Sequence, residues 1–392
     1  MIKLKAKRRL DMFTIVQAMF ALFIVDFLGY GWYICGVMLI FLLIHMLMKR
    51  ENLPVSRLLV CVCILAICNF SIMLFRDKRD IFTTTFKYLL SPIIGYISGD
   101  YFVRQNRKGN PLISAYLLAI VPYFLHGFLD LINFSGVVGY QRYIYDFWTG
   151  VPWRATLVGT YFALTTSFLV VGVVKKASLF RKSLYILCAC FSIYAAAMIA
   201  SRTVVLIGAA ANVICGFVYL IDTNSLKKKT RMLLLAGVSC LAAVLVFVMN
   251  TEVFMDLPVV QRFLNMDLSA DSRISLFMNV LNNFWEHPFG GMPYFYSHNT
   301  WLDFLRLTGW LTFALFTAIS VAGLVQCKRI VTCRAVLIED RLLVLGVMIA
   351  FYLQMFVEPI MDGSPIMFAM FFYMIGANEA YLKRLSIIRR RI

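Results

Sequence analysis

Residues 183–221 read SLYILCACFSIYAAAMIASRTVVLIGAAANVICGFVYLI, two apolar runs joined at Ser201-Arg202-Thr203, with Arg202 the one charged residue. A helix needs about 20 apolar residues to cross the hydrocarbon of a bilayer, so this stretch predicts two spans closed into a tight hairpin. Its turn presents a single guanidinium. Outward from the hairpin the pattern repeats, with apolar runs near 12–28, 31–48, 57–75, 81–100, 111–134, 156–174, 183–200, 203–221, 232–249, 300–324, 342–358 and 363–380. The predicted fold is an all-α polytopic membrane protein of about twelve transmembrane helices. It forms one integral membrane domain, 1–392, with no internal repeat and no soluble catalytic domain at either end. One large outer loop, 250–297, is expected to contain an amphipathic helix.

Composition agrees. The 392 residues are 61% hydrophobic and 15% charged, with a mean hydropathy of +0.80, whereas soluble domains are nearer half apolar and a quarter charged. The net charge of +18 does not point to nucleic acid, because of where the bases lie. Five fall at 3–9, three at 49–57, three at 104–108, four at 175–182, four at 227–231, four at 328–341 and five at 383–391, together 28 of the 38 lysines and arginines. They alternate with the spans as the positive-inside rule requires, which puts both termini in the cytoplasm. The charged connection Arg76-Asp77-Lys78-Arg79-Asp80 falls outside in this scheme, its two acids offsetting three bases. Lys3 to Arg9 followed by Met12 to Leu28 reads as a first span retained as an anchor rather than a cleaved signal.

The ten cysteines lie in spans or in one inner loop, so no disulfide framework is expected. Cys61/Cys63 and Cys188/Cys190 lack the spacing and the neighbouring histidine of a zinc site. They read as small buried thiols, and no metal or cofactor is expected.

The sizeable polar excursion is 271–311, DSRISLFMNVLNNFWEHPFGGMPYFYSHNTWLDFLRLTGWL, which holds two of the four histidines. Asp271-Ser272 can cap a helix in which Ile274, Phe277, Val280, Leu281 and Phe284 recur at helical spacing. His287-Pro288 and Gly290-Gly291 end it. Such a helix would lie against the outer membrane face or over the bundle.

Several polar residues carry two readings each. Arg202 is either a turn residue snorkelling to lipid phosphates or an anion ligand; its outer position, against the positive-inside pattern, favours the second. Arg273 lies on the solvated face of the amphipathic helix or joins Arg202. Two planar forks of N–H donors suit a diphosphate, which needs both charge and bidentate hydrogen bonds. His298, at the outer mouth of the tenth span, is a general base or an interfacial histidine capping the span. His287 has weaker context beside Pro288, and His45 and His126 read as span residues with structural partners.

Asp303 and Arg306 are three apart in the same span and hence neighbours on a helix. Charge within a bilayer costs about 2.5–3.5 kcal/mol per residue even on insertion scales, so they read first as an intramembrane ion pair and second as site support. Glu358, at the turn between the last two spans, orients a base or an arginine, or is simply solvated. The 135–155 loop combines Arg142 and Arg154 with Tyr140, Tyr143, Tyr145, Phe147, Trp148 and Trp153. These rings serve to stack on sugar faces or to form an interfacial aromatic belt.

Taken together, these motifs resemble the O-antigen polymerase/ligase superfamily, which also contains protein O-oligosaccharyltransferases. Three features carry the resemblance: Ser201-Arg202 at the start of an outer-facing span; Arg273 followed by an amphipathic helix, Trp285 and Pro288-Phe289-Gly290; and His298-Asn299, nine residues, Gly309, two residues, Thr312. The specific motifs cover about 200–312, and the span layout agrees over the rest. The resemblance implies a metal-independent glycosyltransferase at the outer face of the bacterial cytoplasmic membrane. Its donor would be an undecaprenyl-diphosphate-linked glycan and its acceptor a glycan or glycolipid. It further implies that Arg202 and Arg273 hold the diphosphate, that His298 takes the proton from the attacking hydroxyl and that Asn299 orients the site. Arg142 and Arg154 match no motif.

A polymerase of lipid-linked repeat units is favoured over a ligase, which must also seat a lipid A-core acceptor. A polymerase would be expected to work with a chain-length regulator. A flippase for lipid-linked oligosaccharide is the competing class, but transporters commonly show repeat symmetry and a midplane site, whereas these polar groups sit at outer mouths.

Overall fold

The structure, a computed structural model, describes residues 11–49, 55–76, 81–106, 109–138, 141–152, 155–174, 177–222, 260, 272–292 and 297–391. The expected span at 232–249 and most of the 250–297 loop lie outside the described residues, as do Arg154 and the side chains of Arg142 and Arg273.

The chain is built from helices: α1 Met12–Ile24, α2 Gly31–Met48, α3 Arg57–Arg76, α4 Ser91–Gln105, α5 Pro111–Asp130, α6 Ala155–Thr166, α7 Leu179–Met198, α8 Arg202–Asp222, α9 Ser272–Asn283, α10 Thr300–Thr308, α11 Trp310–Thr332, α12 Ile338–Val357 and α13 Pro365–Arg391. Among the described residues, seven helices are long and apolar enough to cross a membrane: α2, α3, α5, α7, α8, α11 and α12. The chain is thus a multi-pass, all-α membrane protein. A two-stranded antiparallel ribbon, β1 Gly136–Val138 and β2 Gln141–Tyr143, pairs Val137 with Arg142 in the loop after α5.

The outer surface of the bundle is apolar, as lipid contact requires, with Leu187, Val213, Phe217 and Leu206 all exposed on α7 and α8. Polar side chains turn inward and clasp helix to helix. Tyr116 donates to Asn378 at 2.9 Å, and the Tyr123 hydroxyl meets Thr160 at 2.7 Å and Ser364 at 2.8 Å. The closest pairing is α4 against α13. Gly95 and Gly99, four apart on α4, and Gly376 on α13 each sit where a Cβ would strike the partner backbone, the small-residue approach typical of membrane helices.

Four elements differ from the expected spans, the sixth among them: expected at 156–174, it is Ala155–Thr166 followed by Phe168–Gly172. The first span is cut short at Ile24, where Asp26 takes a left-handed φ of 51° and its carboxylate accepts the Gly31 amide at 2.8 Å. The fourth begins as Ile81–Thr84, widens into a π turn over Thr85–Leu90 and continues as α4. The tenth, expected at 300–324, is two helices. Gly309, at φ 85° and ψ −168°, breaks it into α10 and α11. A Cβ there would collide with the Pro288 carbonyl and Phe289, because the 287–291 turn crosses the break. Trp310 donates to the Pro288 carbonyl at 3.0 Å, and Gly291 and Met292 donate to the Leu307 and Arg306 carbonyls at 3.2 and 3.1 Å.

The two ends of the bundle collect different residues. At one end Arg181 and Tyr185 reach Glu339 at 3.4 and 3.1 Å, and Arg384 donates to the Asn106 carbonyl at 3.0 Å. At the other, Gly363 packs on Leu157 and Gly159 packs on Ser201 and Val204. The starts of α6 and α8 therefore meet the end of α12 at one level.

Candidate functional site

His298 stands in the three-residue approach to α10, with a left-handed φ of 51°. Non-glycine residues occupy this region sparingly, and such conformations persist where surrounding contacts over-determine them. Here the contacts are explicit. Asp303, fully buried, accepts from the Ser297 amide at 3.1 Å and the Ser297 hydroxyl at 2.8 Å, and Ser297 Oγ also meets the Asn299 carbonyl at 2.9 Å. On the far side, Asn299 caps α10 by accepting the Leu302 amide at 3.0 Å. Its amide nitrogen donates to the Phe356 carbonyl at 3.1 Å.

Thr300 completes the tie to α12. Its hydroxyl donates to the Glu358 carbonyl at 2.9 Å and accepts from the Ile360 amide at 3.0 Å. The beginning of α10 and the end of α12 are thereby joined through the two residues that follow His298. Across that junction, His298 Nδ1 lies 3.6 Å from Glu358 Oε2. Glu358 is 1% exposed while the His298 side chain is 28% exposed. At this separation the buried carboxylate is an electrostatic neighbour of Nδ1 rather than its hydrogen-bond partner, and the other ring nitrogen remains for chemistry.

Arg306 donates through Nε to Asp303 at 3.2 Å, so the two charges of α10 form a buried pair. Because the same Asp303 oxygen holds Ser297, the ion pair also anchors the turn that carries His298. Arg202 opens α8, half-buried, two residues after Ala200 at φ 51°. The Ser201 amide donates back to Ala196 at 2.8 Å, closing α7 in a helix-ending turn of two residues. Through Ser201 against Gly159 and Leu157 against Gly363, Arg202 sits at the same end of the bundle as His298 and Glu358.

Arg273 lies in the first turn of α9, as the spacing predicts. That helix packs over the bundle: Val280 is buried with Met292 and Leu305, the Phe277 ring is 6.3 Å from Phe356, and Phe284 is 5.0 Å from Trp310. Ile274 and Leu281, expected on the same apolar face, are exposed. Arg142 is on β2, opposite Val137.

Two arrangements went unread in the sequence. The π turn carries Lys87, whose ammonium donates to the Asp362 carbonyl and carboxylate, both at 2.6 Å, while the Tyr88 hydroxyl meets the same carboxylate at 2.8 Å. This ties the fourth span to the turn that carries Glu358. The second is a buried group of His126, Asp130 and Asp146. The four-residue spacing of His126 and Asp130 at the end of a span was its only sequence signal. No family model and no characterised protein matches the chain.

Proposed function

We propose that the protein is a polysaccharide polymerase of the O-antigen polymerase/ligase type, working at the outer face of the bacterial cytoplasmic membrane. It transfers a glycan from undecaprenyl diphosphate to a sugar hydroxyl of a lipid-linked repeat unit, building O-antigen, capsule or exopolysaccharide. The observation that carries this reading is the His298–Glu358 pair, an imidazole 3.6 Å from a buried carboxylate and held in a strained turn. Supporting it, Arg202 opens α8 at the same end of the bundle and α9, with Arg273, packs over α10.

The proposed chemistry follows from those groups. His298 accepts the proton of the acceptor hydroxyl, whose oxygen attacks the anomeric carbon of the donor. The bond from that carbon to the diphosphate oxygen breaks, and the diphosphate leaves with the electron pair. Arg202 and Arg273 stabilise the charge that develops there, where preorganised donors contribute most. Glu358 orients the imidazole and stabilises it once protonated. Asn299, Asp303 and Arg306 hold the turn, and Arg142 and Arg154 are offered to the glycan. The scheme uses no cofactor. Twelve spans with cytoplasmic termini belong to the same proposal, as does a chain-length regulator as partner.

The test uses purified protein in vesicles, supplied with lipid-linked repeat units. Wild type lengthens them, and His298→Gln leaves single units. Lengthening by the Gln variant would remove the general base from the scheme. Loss of lipid translocation without any change in glycan length would assign a flippase instead.

A further inference from the structure

At the same end of the bundle a second polar group has no part in that chemistry. His126 and Asp130 are four apart in the last turns of α5 and share a face. Asp146 reaches them from the segment after β2. All three are buried, at 0%, 0% and 4% exposure. His126 Nε2 lies 3.1 Å from Asp146 Oδ2 and 3.7 Å from Asp130 Oδ1, and one ligand atom from each residue lies within 4.8 Å of the others.

The atoms around this group hold it in place. Asp146 Oδ1 is occupied by the Trp148 amide at 3.0 Å, the Thr149 amide at 2.7 Å and the Thr149 hydroxyl at 2.8 Å. This turn of side chain onto following amides leaves Oδ2 as the oxygen directed at the imidazole. The Phe147 amide donates to Asp130 Oδ1 at 2.9 Å. The Tyr161 ring, 4.8 Å from the imidazole, covers it. Hydrogen bonds that orient the ligands from behind are what built metal sites possess.

We infer that His126, Asp130 and Asp146 form a site for a divalent transition-metal cation of the zinc or manganese class, which fastens the 141–152 segment to the end of α5. An imidazole nitrogen with two carboxylate oxygens is a donor set these ions accept. Metal–ligand bonds of about 2.0–2.2 Å set tetrahedral donor–donor edges of about 3.3–3.6 Å; the two distances from Nε2, 3.1 and 3.7 Å, straddle that range, and all three ligand atoms lie within 4.8 Å of one another. Finally, two buried carboxyl side chains face one imidazole, a donor set whose charge a divalent cation complements. On binding, the cation replaces the Nε2 proton, which leaves to solvent.

The inference is independent of the glycosyltransferase reading and is tested without assaying activity. Full-length protein in detergent is stripped with a chelator, then dialysed against zinc or manganese, and its metal content and thermal midpoint are measured. Wild type should retain about one equivalent per chain and melt at a higher temperature with it than without. His126→Gln and Asp146→Asn should lose both effects, while His298→Gln keeps them. If either variant does not fold, X-ray absorption of the wild-type complex decides, since one imidazole nitrogen and carboxylate oxygens are required around the ion. Folded, stripped wild type that takes up neither metal overturns the proposal, as does a first shell without imidazole. Retention of a full equivalent by both folded variants also overturns it, and the group is then a hydrogen-bonded latch.

Discussion

His298 is held by its neighbours more than by its own contacts, and that makes their roles separable. Replacing His298 by Gln removes the proposed proton acceptor and should lower transfer by about 10²–10⁴-fold, with the thermal midpoint unchanged because the side chain is partly open. Glu358→Gln keeps the shape and the backbone tie to Thr300 but loses the charge behind the imidazole. It should reduce the turnover number more than it raises KM, measured on vesicles with defined acceptor. Asp303→Ala behaves differently. It removes the carboxylate that faces the buried Arg306 and frees Ser297. Breaking one partner of a buried pair costs about 3–5 kcal/mol, so this variant should show a clear fall in thermal midpoint as well as lost transfer. An unchanged midpoint would mean that Asp303 does not anchor the turn.

Among the helices, the break at Gly309 decides whether that turn exists. Gly309→Ala places a Cβ at φ 85° against the Pro288 carbonyl. Alanine is strained at positive φ, by more than about 1 kcal/mol, and here the collision adds to it. The expected outcome is a lower thermal midpoint together with lost transfer, and retention of both would show that the break is dispensable. The same region shows what could be read in advance. Hydropathy identifies apolar runs, so the long spans and the α7–α8 hairpin with Arg202 at its turn were legible. A glycine within an apolar run is compatible with a continuous helix, so nothing in 300–324 announced two helices. The π turn at Thr85–Leu90 was equally invisible, since one extra residue per turn leaves the apolar pattern intact. His298 and Glu358 were legible as candidates, one by one. Their proximity was not, because 60 residues separate them and only the packing of α10 on α12 brings them together.

In the molecule as a whole, the two ends of the bundle carry different chemistry. One end of the bundle gathers His298, Glu358, Asp362, Arg202 and Asp146, and the other gathers Arg181, Glu339 and Arg384. With basic connections inside, reporter fusions should place 283–291 on the outer face and the C-terminus in the cytoplasm. A cytoplasmic 283–291 would reverse the molecule and take the site away from an outer-face donor. The most direct test of the central claim is to delete the gene in its source strain and size the glycans left on the polyprenyl carrier. Single repeat units should accumulate at the outer face, and wild type, but not His298→Gln, should restore long chains. Long chains stranded on the carrier would contradict it, because the protein would then be moving finished glycan to another acceptor rather than building it.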